Sequence, residues 1–123
     1  MWKVATTNAF DEWFRNLSED GQAEIIAKVK CLEILGPQLG RPHADTLKGS
    51  KHANMKELRA DTKDMVMRIA FAFDPNRAAI LLLGGDKSGV SQQRFYKQLI
   101  IKADRLYDLH LVTVKELKHT KGQ

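Results

Sequence analysis

Arg59 in "MKELRA", Arg68 in "DMVMRIAFAF" and Lys87 in "AAILLLGGDK" place three cations in or at the end of three short apolar segments that follow one another along the chain. If those segments are neighbouring strands, like-facing side chains come within reach of one shared ligand. A phosphodiester fits, because arginine offers a planar fork for two phosphate oxygens and lysine a mobile point charge. RNA can be cut at such a site without a metal. The 2′-hydroxyl attacks its own phosphate once a base takes its proton, an acid protonates the leaving 5′-oxygen, and cations hold the developing charge. Arg68 and Lys87 suit the last task. For proton transfer Lys51, His52, Lys56, Glu57 and Tyr96 are all chemically able, and no motif chooses among them.

Other chemistries find less support. His43, His52, His110 and His119 occur in no H-x-x-E-H or H-E-x-x-H arrangement, and one cysteine cannot form a ligand pair, so no metal or other cofactor is expected. Cys31, among the aliphatics of "KVKCLEIL", reads as a small buried hydrophobe. "GGDK" lacks the spacing of a phosphate-binding loop. Its Gly84 and Gly85 let the backbone turn and approach a ligand closely, carrying Asp86 and Lys87 to the sheet edge; a bulge is the alternative reason for two glycines.

The elements that must position these groups follow from composition and periodicity. A chain of 123 residues, 43% hydrophobic and 28% charged, fits one globular domain, residues 1–123, with a basic tail from about residue 112. The longest apolar runs fall far short of the ~20 residues of a membrane span, and "MWKVATT" has no signal-peptide character. A cytoplasmic protein is expected. The net charge of +5 is unevenly spread: residues 1–36 carry four Lys/Arg against six Asp/Glu, while residues 41–63 carry six against three and residues 94–121 seven against three. That asymmetry suits a polyanion or an acidic protein partner.

"MWKVATT" predicts an opening strand, and Asn8 a cap for a short helix through "AFDEWFRNL". Ser18 predicts a second cap, ahead of a helix that carries Ile25, Val29 and Leu32 on one face and ends at Gly36-Pro37. The polar segment "QLGRPHADTLKGSKHAN" reads as a surface connection. Three strands follow. The second is the most informative, with Met65, Met67, Ile69, Phe71 and Phe73 on one face and Val66, Arg68, Ala70 and Ala72 on the other. Its small-residue face leaves room beside Arg68 for a ligand. "DPNR" makes the hairpin to the third strand, whose apolar residues on both sides predict cover on both faces. A helix then runs from about Gln92 to about Leu109, with Phe95, Leu99 and Leu106 near one face, and the last residues of the basic tail beyond are expected to fray. The fold class is α+β: an N-terminal strand and two helices on one face of an antiparallel sheet with a three-strand meander, then a C-terminal helix.

Together "GRPHADTLKGSKHANMKELRAD", "RIAFAFDPNRAAILLLGGDKSG" and "RFYKQLIIKADRLYDLHL" resemble the phage-related HigB-type branch of the RelE/ParE toxin superfamily, over roughly residues 1–111. The resemblance implies the toxin of a type II toxin–antitoxin pair that cleaves mRNA in the ribosomal decoding site. It implies inhibition by a helix-turn-helix antitoxin, in a hetero-oligomeric complex that reaches operator DNA through the antitoxin. It aligns Arg68 with the arginine that grips the scissile phosphate, and places Arg59 and Lys87 on the same face. The strand reads "MKELR", so Lys56 and Glu57 join the catalytic candidates. RNA contacts are expected from Lys48, Lys51, His52, Arg94, Tyr96 and His110. No clear counterpart of the terminal tyrosine of RelE follows "GGDK", which leaves the general acid open between Tyr96 and His110. ParE-type relatives supply the alternative function, non-enzymatic inhibition of DNA gyrase or another protein target.

Overall fold

The computed structural model describes residues 1–121, with side chains through Leu117. Strand β1 (Val4–Thr6) leads into helices α1 (Asn8–Arg15) and α2 (Glu19–Leu35). A 3-10 turn (Gly36–Gln38) then precedes strands β2 (Ala44–Thr46), β3 (Lys56–Asp61), β4 (Val66–Phe73) and β5 (Ala79–Asp86), and helix α3 (Gln92–Lys121) completes the fold. The strands form one sheet in the order β1-β5-β4-β3-β2. All neighbours are antiparallel except β1, which lies parallel to β5.

Local chemistry sets the element ends. The cap of α1 is Thr7, not Asn8, which is the first helical residue. Thr7 keeps the extended backbone of β1, accepts a hydrogen bond from Phe10 N, and donates its hydroxyl to Leu82 O at 2.6 Å. One side chain thus starts the helix and ties it to the sheet. Ser18 caps α2 as expected, and Ile25 and Leu32 are buried with Val29 packed against them. In the β4–β5 hairpin Asp74 accepts from the amides of Asn76 and Ala78, while Arg77 takes the positive φ of 65°.

Two cores lie on opposite sides of the sheet. Beneath α1 and α2 are Leu58, Met67, Ile69, Phe71 and Leu81, with Phe10, Ile25 and Leu32 from the helices. Beneath α3 are Met55, Ala70, Ala72, Ile80 and Leu82, with Leu99, Ala103 and Tyr107 from the helix. Burying each large aliphatic side chain stabilises by about 1.5–3 kcal/mol, so both layers are structural necessities. The alternation in β4 is as expected, but its small-residue face is not open. Ala70 and Ala72 are buried in one cluster with Ala103 of α3, and such small residues let a helix lie close to a sheet.

Three further expectations change. The segment read as a surface connection contains β2 and buries Leu39, Ala44 and Leu47. Helix α3 does not stop at Leu109 but runs through the basic tail to Lys121; the end of the tail, where fraying is expected, lies outside the described residues. In β5, Ala70 pairs with Leu83 and Phe71 with Leu81, so Leu82 is an extra, bulged residue. The bulge resets the alternation and turns Gly84 toward α1 and Gly85 toward α3: a Cβ on Gly84 would overlap the Trp13 ring, and one on Gly85 would lie 2.9 Å from Phe95 Cε1. Those glycines make room for two aromatic rings. Among the described residues no helix is long and apolar enough to cross a membrane.

Candidate functional site

Arg59 of β3 and Arg68 of β4 are direct partners in the antiparallel ladder, so their side chains leave the sheet on the same face, toward α3. Like charges directly opposite one another are destabilising unless something compensates. Carboxylates supply the compensation from the same strand face. Glu57 and Asp61 flank Arg59 at two-residue spacing, and Asp45 of β2 reaches it from the sheet edge. Arg68 Nη1 donates to Asp61 Oδ1 at 2.7 Å and to Met67 O at 2.8 Å, and its Nε lies 3.5 Å from Glu57 Oε1. Arg59 Nη2 lies 3.5 Å from Glu57 Oε2 and 3.4 Å from Asp45 Oδ2.

The cluster is deep. Glu57 is 5% exposed and Arg68 7%. From the second turn of α3, Tyr96 donates its hydroxyl to Glu57 Oε1 at 2.6 Å. Burial, and then the hydrogen bond to Glu57 and its charge, push the Tyr96 pKa up to about 12, with Arg68 opposing. For Arg68, burial is the largest influence and works against the charged form, but the hydrogen bonds and charges of Asp61 and Tyr96 together outweigh it and the net shift is upward. Lys87 Nζ stands 5.5 Å from the centre of the Tyr96 ring. Both Arg59 Nε and Arg68 Nε are buried without a hydrogen-bond partner. Two donors on one face thus go without a hydrogen bond, Glu57 Oε1 standing 3.5 Å from Arg68 Nε.

The sequence-derived set therefore divides. Glu57, Arg59, Arg68, Lys87 and Tyr96 come together. Lys56 does not: it is out of phase with Glu57 and Arg59, opposite Phe71, and so belongs to the α1/α2 side of the sheet. Lys51, His52 and His110 lie toward the far end of α3. Lys51 and His52 both pair with Asp108, and His110 Nε2 pairs with Asp74 Oδ2 at 2.8 Å. Tyr96 and Tyr107 are eleven residues apart on one helix, roughly 16 Å along its axis, and His52 packs on the Tyr107 ring. Lys48 and Arg94 are exposed, Arg94 on the outward surface of α3. The expected room beside Arg68 is filled by Tyr96 and α3, and Arg68 is a paired arginine rather than a free one.

Asp61 and Asp45 are site residues that sequence reasoning passed over. A signal for Asp61 was present: in "ELRAD" Glu57, Arg59 and Asp61 alternate with Leu58 and Ala60, putting acid, base and acid on one face. Asp45 carried none, since its strand is three residues long. Asp86 is used internally, accepting from the amides of Val66 and Ser88.

Comparison with known proteins agrees with this architecture. Residues 12–108 match the family described as phage derived protein Gp49-like (DUF891). The putative toxin HigB3 of Mycobacterium tuberculosis is 48% identical over 96 residues, covering 77% of this chain and 81% of that protein. The putative toxin HigB2 of the same organism is 38% identical over 116 residues, covering 94% of this chain. The chain spans 57% of the length of HigB2. Among solved structures, a mutant of the E. coli toxin RelE in the free state superposes with a TM-score of 0.58 at 9% identity, over 82% of this chain and 95% of that one. A chain of an archaeal RelE–RelB complex from Pyrococcus horikoshii gives 0.53 at 12% identity, over 72% of this chain and 98% of that one. By its matched sequence and its sheet-and-helix order, the chain belongs to the Gp49-like family of phage-derived proteins, as a HigB-type member built on the RelE fold.

Proposed function

We propose that this chain is the toxin of a type II toxin–antitoxin pair and a metal-independent endoribonuclease that cuts mRNA on the ribosome. The observation that carries the reading is the Arg59–Arg68 ladder pair, with two buried donors lacking acceptors, set beside the Glu57–Tyr96 hydrogen bond. In the free chain Asp61, Glu57 and Asp45 hold the guanidiniums where phosphate oxygens would sit, and an RNA phosphate exchanges with them. The toxin names of the two mycobacterial relatives and the RelE–RelB complex support a paired antitoxin. The reading places a helix-turn-helix antitoxin as partner, operator DNA within its reach, and the action in the cytoplasm.

The chemistry closes on residues already in contact. Glu57 takes the 2′-hydroxyl proton, the 2′-oxygen attacks phosphorus, and Arg59, Arg68 and Lys87 hold the pentacoordinate charge. Tyr96 gives its proton to the departing 5′-oxygen. A charged Glu57 is one of the causes that hold Tyr96 near pKa 12, so its neutralisation makes Tyr96 a stronger acid as the 5′-oxygen leaves. The proton on Glu57 then returns to Tyr96 along their 2.6 Å hydrogen bond. The products are a 2′,3′-cyclic phosphate and a 5′-hydroxyl end.

Induction in a bacterial host, with growth, DNA synthesis and mRNA ends followed together, tests the reading. Growth arrest with new 5′-hydroxyl ends in ribosome-associated mRNA is expected. Arrested replication with intact mRNA would instead place the chain with the gyrase-directed ParE type.

A further inference from the structure

The acids and bases of α3 are segregated. Asp104 accepts from Ser50 Oγ and Lys51 N, and Asp108 holds Lys51 and His52, so these two helix acids are spent on the loop before β3. On the outward surface Arg94, Lys97, Lys102 and Arg105 are exposed, and none has an ion-pair partner among the described residues. They span twelve residues of helix, roughly 16 Å or three turns.

Beside this row of cations the surface is concave and aliphatic. Between α3 and β5 runs a groove of about 330 Å³, floored by Leu83, Gly85, Val90, Phe95 and Leu99 and edged by Lys102. It shares Arg94, Gln98 and Lys102 with a neighbouring depression of about 590 Å³ that runs along Lys97 and Ile101. Val90 is 47% exposed and Ile101 53%. Gly85 contributes depth, because a side chain there would press on Phe95. The groove lies on the β5 side of α3, whereas Glu57 and Arg59 stand on the β3 side.

We propose that this groove binds an acidic amphipathic helix of a protein partner. The row of unpaired cations favours negative charge opposite it, and the floor favours aliphatic side chains. A helix of about three turns with Leu or Ile at i, i+4 and i+7 and Glu or Asp beside them supplies both at once. A nucleic-acid backbone would satisfy the cations alone and leave Val90, Ile101 and the groove floor in contact with water. The inference goes beyond the proposed catalytic reading and does not depend on it.

Fluorescence anisotropy with the full-length protein tests it, using three labelled probes. These are an 18-residue Glu/Leu peptide of helical periodicity, a scrambled peptide of the same composition, and a 12-nucleotide single-stranded RNA. The periodic peptide is expected to bind at least tenfold more tightly than the scramble at physiological salt. Arg94→Glu combined with Lys102→Glu, and separately Ile101→Glu, should each weaken it tenfold or more. All three positions are exposed, and an unchanged circular-dichroism melt confirms the fold. Equal binding of the scramble, insensitivity to the variants, or tighter binding of the RNA that the same variants abolish would overturn the proposal. Because no readout involves cleavage or toxicity, its failure is distinguishable from failure of the ribonuclease reading.

Discussion

Arg59 and Arg68 face one another across the β3–β4 ladder on the α3 side of the sheet, and Glu57 lies within 3.5 Å of a nitrogen on each. Two guanidiniums side by side in a partly buried site add little to stability; replacing buried ionic clusters by apolar residues is often neutral or stabilising. The pair is what the ribonuclease reading uses.

Asp61 is the outermost of the carboxylates, its side chain 57% exposed, and it occupies Arg68 Nη1. Solvent screens so open an ion pair, so Asp61→Asn is expected to change stability by less than about 1 kcal/mol. It frees the donor for phosphate. Affinity for a 2′-deoxy RNA analogue, which cannot be cut, should rise severalfold by titration, and unchanged or weaker binding would contradict the exchange of carboxylate for phosphate.

Tyr96 and Glu57 form the proton couple. With the Tyr96 pKa raised from 10.0 to about 12, its neutral form contributes stability that is complete below pH 10.0 and is lost as pH rises through about 12. Glu57→Gln removes the charge behind part of that shift. In a Tyr107→Phe background, the ultraviolet titration of Tyr96 should move down toward 10.0, and an unmoved midpoint would separate the two residues electrostatically.

At the other end of α3, Asp74 lies below its ordinary pKa of 3.8. Burial pushes it up, but the hydrogen bond from His110 and the amides of Ala78 and Asn76 outweigh it. A carboxylate with a depressed folded pKa stabilises above its unfolded value and loses that contribution as pH falls through the folded one. Asp74→Asn should cost about 1–3 kcal/mol at neutral pH and converge with the parent protein in strong acid. Urea midpoints measured from neutral pH to below the unfolded value of 3.8 check this, and parallel curves would refute it.

Gly84→Ala drives a methyl group into the Trp13 ring. Overpacking of this kind costs about 1–3 kcal/mol. A lowered melting temperature with altered tryptophan fluorescence is expected; an unchanged melt would mean that the β5 bulge relaxes freely.

Several of these features could be read from the residues alone. Ser18, the Ile25-Val29-Leu32 face, the "DPNR" turn and the two faces of β4 were readable because each rests on local chemistry or a strict period. The covered small-residue face was not, since Ala70 and Ala72 suit solvent and a closely packed helix equally well and only Ala103 on a distant segment decides. The Leu82 bulge hides within a run of aliphatics where either phase looks hydrophobic. The Arg59–Arg68 pairing depends on the β3–β4 register, which no single strand contains. Both glycines of "GGDK" had a packing explanation in Trp13 and Phe95, residues far away in sequence.

The central claim is that Arg68 holds the scissile phosphate with its two-pronged fork. Burial makes Arg68→Ala an unclean probe, because it leaves Glu57 and Asp61 short of a donor and should cost about 1–3 kcal/mol of stability by itself. Arg68→Lys keeps the charge and removes the fork. Purified parent protein and Arg68→Lys should be compared for single-turnover cleavage of mRNA on programmed ribosomes, with thermal melts in parallel. The expected result is 5′-hydroxyl products from the parent and cleavage slowed by about 100-fold or more in a folded variant. A folded Arg68→Lys protein that cuts at the parental rate would contradict the account.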